Sequence, residues 1–383
     1  MNGSSLSART ARGAALAASL GLFTVYAASA QESRPFTPKL EISSTIPGNG
    51  DLNPYGIAFV PEGFPSGGRI AAGDVLVANF NASSNLQGTG TTIIQFTPGE
   101  AVAPAAPAGM GGSARTFFQG RQPGLSTALG VLKRGFVVVG NVPTKDGTVN
   151  TIHNGTLQFM DRNGKLIATL ADPMFFDSPW DLTINDEGDH AQLFVSNVLS
   201  GRVARLDLAV EPATVKVQHK TLVATGYMHE PNAAALVLGP TGLAYDRRSD
   251  ILYVASTADN AIFSVDHAGR ATAPVTKGNR VFSDAHLRGP LALAFAPNGD
   301  LLTTNGDAVN ADPTHPSEVI EFTRQGEFVR EFNLDAGQGA AFGLATVDGE
   351  NAKFNLALVD DSTNAVQVYG LAAKEEGLTA ARD

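Results

Sequence analysis

Asp181 follows the chain's one tryptophan, Trp180, at the head of an apolar run, SPWDLTI, where a carboxylate is out of place. A carboxylate among apolar neighbours needs a cation, a water or several N–H donors, because burying it alone is prohibitive. Met by a cation it is a metal ligand, and facing a substrate it is a general base. Met by backbone N–H groups of a neighbouring strand, it is an ordinary structural residue. His229 and His286 lie in long loops and supply the acid that such a base requires. A histidine-metal site needs two or three imidazoles converging with a carboxylate, and His153, His229, His286 and His315 supply the residue type. An oxygen-rich Ca²⁺ site would draw on Asp181, Asn197 and Asp307, with Asp360 a further metal candidate. The cofactor these residues point to is therefore a divalent cation, Ca²⁺ or Zn²⁺. Tyr55, Trp180 and Phe342 are large rings at equivalent places, suited with Asn197 to contact a ligand.

What would position these residues is a repeat. Six apolar strands end in a short polar side chain: VLVAN at Asn79, VVVGN at Asn141, LFVSN at Asn197, LYVAS at Ser256, LLTTN at Asn305 and LALVD at Asp360. Each follows a second recurring strand, whose starts align at Gly56, Gly130, Asp181, Gly242, Ala292 and Gly343. A third strand of alternating pattern comes after each polar end, near Phe96, Phe159, Leu206, Phe263, Phe322 and Tyr369. Self-similarity at this period means blades of a closed array, and the fold class is all-β, a six-bladed β-propeller.

Outer strands are expected at 115–118, 166–170, 220–224, 271–275 and 328–332. The sixth unit lacks one, and KLEISSTI at Lys39 to Ile46 is expected to pair with it and close the ring, which removes exposed sheet edges. The innermost strands crowd together at the axis, so their starts must be small, as Gly56 and Gly343 are. The Asn-type ends are suited to fixing a turn by bonding nearby backbone N–H groups.

In an antiparallel meander the first strand starts and the second ends on the same edge. Loops 80–91, 142–156, 225–239, 278–289 and 306–317 therefore share one face, with the four histidines above. They also carry Glu230, Asp284, Arg288, Asp307 and Asp312. Long loops in a compact repeat are often functional. His190 and His267 belong to the opposite face.

Residues 1–30 read as a secretory signal, with Arg9 and Arg12, then an apolar run, then Ala28-Ser29-Ala30. The run is too short and alanine-rich for a membrane span. Residues 31–371 form the propeller and 372–383 a polar tail. The 383 residues contain no cysteine and carry a net charge of −10, which removal of the leader makes more negative. That sign argues against nucleic acid and anionic lipid. The expected product is periplasmic or secreted, a monomer that meets a small molecule or a protein. No G-x-S-x-G elbow appears, and GMGG at Gly109 to Gly112 has no following helix, so no phosphate cradle is expected.

The grammar G-[IL]-A, strand ending VAN or VAD, then [IV]-x-x-[FY], resembles NHL-type repeats and the wider six-bladed superfamily that includes gluconolactonase-like proteins, over roughly residues 40–370. The gluconolactonase likeness implies a divalent ion at the channel mouth, held by carboxylates and amides from separate blades, with Asn197 and Asp360 matching by position. The chain departs from it at Asn53-Pro54-Tyr55-Gly56, which offers no glutamate. Three functions stay open: a binding propeller without catalysis, a lactonase-like metal-dependent hydrolase or lyase, and a protein-interaction scaffold.

Overall fold

The computed structural model describes residues 40–306, 314–347 and 355–370. The leader, Asp307 and the tail lie outside the described residues. Six small sheets form the ring of a six-bladed β-propeller. Blade 1 runs Leu52–Phe59, Val75–Asn81, Thr92–Phe96 and Arg115–Gln119 from axis to rim. Blade 3 follows the same order with Pro179–Asp186, His190–Asn197, Arg202–Glu211 and Thr214–Thr225. The second strands are the valine-rich runs, and Val75, Val77, Val137 and Val195 are fully buried. Such strands pack on both faces, which explains why they read as continuous apolar runs with little alternation. Among the described residues, no helix is long and apolar enough to cross a membrane.

The ring closes as the alternation at its start predicts. Leu40–Ser44 pairs antiparallel with Ala365–Tyr369, from Leu40 opposite Tyr369 to Ser44 opposite Ala365. The expected outer strand at 271–275 is a correction. The fourth strand of blade 4 is Asn279–Phe282, inside a stretch read as loop. Val275–Thr276 instead joins the rim of blade 3 in parallel, beside Ala224–Thr225. Loop 225–239 likewise holds a hairpin, Glu230–Asn232 with Leu236–Leu238, which forms a two-stranded sheet of its own.

At the axis every blade carries the same irregularity. The pairing of its first two strands slips between Pro54 and Ile57, Leu125 and Leu129, Pro179 and Leu182, Pro240 and Leu243, Pro290 and Leu293, and Ala341 and Leu344. A bulge frees residues from the ladder and re-aims their side chains. In five blades it frees a pair, and the second member is Gly56, Asp181, Gly242, Ala292 or Gly343. Crowding demands its small size: a Cβ on Gly343 would lie 2.0 Å from the Tyr55 carbonyl oxygen of blade 1. At Gly242 it would lie 2.5 Å from Ala292 of blade 5.

Backbone groups released by the bulges must find partners elsewhere. Hydroxyls of the preceding blade supply them. Ser126 Oγ donates to the Pro179 carbonyl at 2.6 Å, Ser196 Oγ to Thr241 at 2.7 Å, Thr257 Oγ1 to Pro290 at 2.7 Å and Thr304 Oγ1 to Phe342 at 2.6 Å. Blade is thus stitched to blade around the inner wall.

Candidate functional site

The first member of each freed pair faces the mouth of the channel on the loop-rich side. Tyr55, Trp180 and Phe342 are such residues, and the structure brings these three expected ligand contacts together. Tyr55 lies 4.5 Å from Phe342 and 5.8 Å from Trp180 between ring centroids. Phe80, which follows Asn79 at the end of its strand, completes the cluster, stacked on Tyr55 at 4.8 Å and edge-on to Trp180 at 5.6 Å. Its place after a strand end gave no sign of this. Each such pair contributes about 0.5–1.5 kcal/mol beyond its buried area.

The rings are not the walls of an open pocket. Trp180 is 1% exposed, Phe342 2% and Tyr55 4%. Val142, Val198, Leu236, Val237 and Leu291 pack into the same core. Leu236 and Val237 come from the hairpin, and Gln87 of the blade 1 loop reaches it by donating to the Ala234 carbonyl at 2.5 Å. A cavity of about 10 Å³ remains beneath, lined by Trp180, Tyr55, Phe342, Thr241, Thr257 and hairpin residues among others. The Trp180 indole N–H is buried with no hydrogen-bond partner among the described residues. Leaving such a donor unmet costs about 1–3 kcal/mol.

Asp181 lies below this cap, in an axial space of about 50 Å³ whose lining is mainly Ile57, Leu129, Leu182, Leu243, Leu293 and Leu344. Its side chain keeps partial accessibility, and that surface belongs to the narrow channel. One carboxylate oxygen accepts the Leu182 N–H at 2.7 Å, and the nearby Leu243 N–H of blade 4 also pulls its pKa down. Burial drives the carboxyl well above the ordinary range, against the pull of those two N–H groups. Asp181 therefore tends to hold its proton.

The remaining candidates are dispersed. The Asn197 amide clamps the loop entering its own blade: Oδ1 accepts the Ser178 N–H at 3.3 Å, and Nδ2 donates to the Phe175 carbonyl at 2.9 Å. Asn305 repeats the arrangement with the Arg288 N–H and the His286 carbonyl. The Asp360 carboxylate accepts from the Thr363 N–H at 3.2 Å, Thr363 Oγ1 at 2.6 Å and Ser362 Oγ at 2.9 Å. Burial raises its pKa. His229 is exposed on the loop that leads into the hairpin. His286 stacks on the Phe328 ring at 3.7 Å near the rim of blade 5, with Nδ1 3.2 Å from Asp284.

A divalent cation fits this arrangement poorly. Among the described residues no three His, Asp or Glu side chains gather as a metal site. Asp181 meets N–H donors, which prefer an anion, and the Asn197 oxygen is already in use. A larger hollow of about 350 Å³ lies at the other end of blade 3, by Asn185, His190, Gln192, Asp207 and Gln218. Its amides are bonded to one another and to the Gly269 carbonyl, and no candidate residue reaches it.

No protein-family model and no curated protein matches the chain. Among solved structures it is similar to a Thermus thermophilus protein assigned as an oxidoreductase (glucose dehydrogenase), at 12% identity and a TM-score of 0.49, covering 86% of this chain and 99% of that one. It is similar to a luciferin-regenerating enzyme at 11% identity and a TM-score of 0.46, over 87% and 96%. It is also similar to the PQQ-bound aldose sugar dehydrogenase of Streptomyces coelicolor, at 12% identity and a TM-score of 0.43, over 87% and 99%.

Proposed function

We propose that the chain is an exported, NHL-like binding propeller that takes a small or extended ligand at its loop-rich axial face and does no chemistry on it. The observation that carries this reading is the packed cap of Tyr55, Phe80, Trp180 and Phe342 over a channel of water-sized width. A substrate has no room beside Asp181, whereas the loops around the cap offer polar groups to a ligand. Export is supported by the leader-like start at residues 1–30. Because Trp180 is the one tryptophan, its emission reports directly on the mouth. Purified protein is titrated with panels of sugars, lactones, aryl esters and short peptides, following tryptophan emission and melting temperature. Binding without turnover is expected; hydrolysis that Asp181→Asn abolishes overturns the reading.

A metal-dependent hydrolase or lyase is the second reading, favoured by one observation, the burial-perturbed carboxyl of Asp181 at the axis, since perturbed carboxyls gather at functional sites. Asp181 would act as base or ligand, His229 or His286 as acid, and Asn197, Asp307 and Asp360 as further donors to Ca²⁺ or Zn²⁺. Elemental analysis before and after chelation, on the wild type and Asp181→Asn, separates the two. Stoichiometric metal lost on mutation, together with turnover that chelation abolishes, favours the enzyme.

A further inference from the structure

Among the described residues the hairpin is joined to the ring by side-chain packing and not by strand pairing. Its two strands pair with each other and with no blade. Its tip is held from blade 1 by the Gln87 side chain, an exposed bond. Leu236, buried beside its turn opposite Asn232, has φ +64°, a left-handed conformation that leucine adopts only under constraint. The segment that closes the mouth is thus apolar, strained and lightly latched.

Beneath it the seat is incompletely satisfied. The Trp180 N–H has no partner among the described residues, although the hydroxyls of Thr241 and Thr257 on the same cavity already donate to the Pro290 carbonyl. Trp180 is then the donor left over. The described lining carries no charged side chain, so an ion entering there would lose its hydration without compensation. An apolar body would take over the contacts of Leu236, Val237 and Leu238, which are 2%, 4% and 5% exposed, and so offset the burial they lose.

We infer that the hairpin occupies the seat of a ligand, and that this ligand is an uncharged, mainly apolar molecule with one hydrogen-bond acceptor, which displaces Leu236–Leu238 and accepts from the Trp180 N–H. The inference rests on the binding reading above and gives that site its ligand class. The indole N–H supplies direction, and the rings supply the buried area. The hairpin then acts as a competitor built into the chain, and freeing its tip strengthens binding.

The probe is prodan, an uncharged aryl ketone whose emission shifts to the blue in apolar surroundings. Wild-type protein is expected to bind it with energy transfer from Trp180. Gln87→Ala, which removes the latch, is expected to bind several-fold tighter. Trp180→Phe keeps a ring but loses the donor, and is expected to bind about 2- to 10-fold weaker, read from prodan emission alone. Melting curves of both variants establish that they fold. Equal affinity across all three proteins overturns the buried seat, and so does failure of Gln87→Ala to bind prodan. Either result leaves the loop-face reading standing on its own test, the ligand panels scored by melting temperature.

Discussion

Tyr55 and Phe342 meet with ring centroids 4.5 Å apart, so the first and last blades of the ring touch through an aromatic pair at the channel mouth. The contact joins the sequence ends of the propeller where its inner strands also crowd, at the Gly343 approach to the Tyr55 carbonyl. Phe342→Ala is expected to destabilise the protein by about 3–5 kcal/mol, as for other large aromatic truncations in cores. It also opens the environment of Trp180, so a red shift in native-state emission accompanies the lower denaturation midpoint. A loss below about 1 kcal/mol with unchanged emission contradicts the packed cap.

Asp181 makes stability depend on pH in a definite direction. Its folded-state pKa is raised by burial, so the native state binds the proton more tightly than the unfolded chain. Such a group contributes its stability below the ordinary carboxylate pKa of about 3.9 and loses it as pH rises toward the raised folded value. Asp181→Asn keeps an acceptor for the Leu182 and Leu243 N–H groups and carries no charge. Its melting temperature is expected to exceed the wild type at neutral pH, with the gap closing as pH falls toward 4. A constant gap across that range removes the buried carboxyl as its cause.

Asn197→Leu tests whether the strand-end amides are structural. The substitution leaves the Ser178 N–H and the Phe175 carbonyl without the amide that meets them. A loss of about 1–3 kcal/mol is expected, with ligand affinity in the folded protein unchanged. An unaltered melting point together with lost binding assigns the amide to the ligand instead.

Ring closure gives a comparison of truncations. Removal of residues 31–46 takes away the strand paired along Ala365–Tyr369 and exposes that edge. Its melting temperature is expected to fall far more than that of a protein lacking residues 372–383. Equal thermal midpoints contradict the closure.

The closing strand is legible because the sixth unit lacks an outer strand while Lys39 to Ile46 alternates ahead of the first, and the blade count because it rests on a local pattern repeated six times. The small residues at Gly56, Gly242 and Gly343 were legible for the same reason, though the cause lay deeper. The sequence shows crowding, while the bulge that produces it is a property of pairing between strands. A signal for it was present: Pro54, Pro179, Pro240 and Pro290 stand where the ladder is about to slip, as a residue without an N–H can. The hydroxyl stitching was equally visible, in Ser196 and Thr304 just before Asn197 and Asn305. What could not be read was distance between blades. Tyr55, Trp180 and Phe342 were assigned to one mouth, but whether they wall it or fill it depends on how closely three separate strands approach. The hairpin at 230–238 leaves little trace in the sequence, because its first strand is only Glu230-Pro231-Asn232, a polar and proline segment without alternation.

The closing pair has a consequence for the order of folding. The strand at Leu40–Ser44 is the first described segment to be synthesised, and its partner at Ala365–Tyr369 is the last. Five blades can therefore form in sequence as the chain emerges, while the first strand waits unpaired with Ile42 among its side chains. Contacts across so long a stretch form slowly, since their loop-closure entropy precedes any gain. The assembly step that completes the ring is also the one during which a bare edge of blade 6 can capture the strand of another molecule.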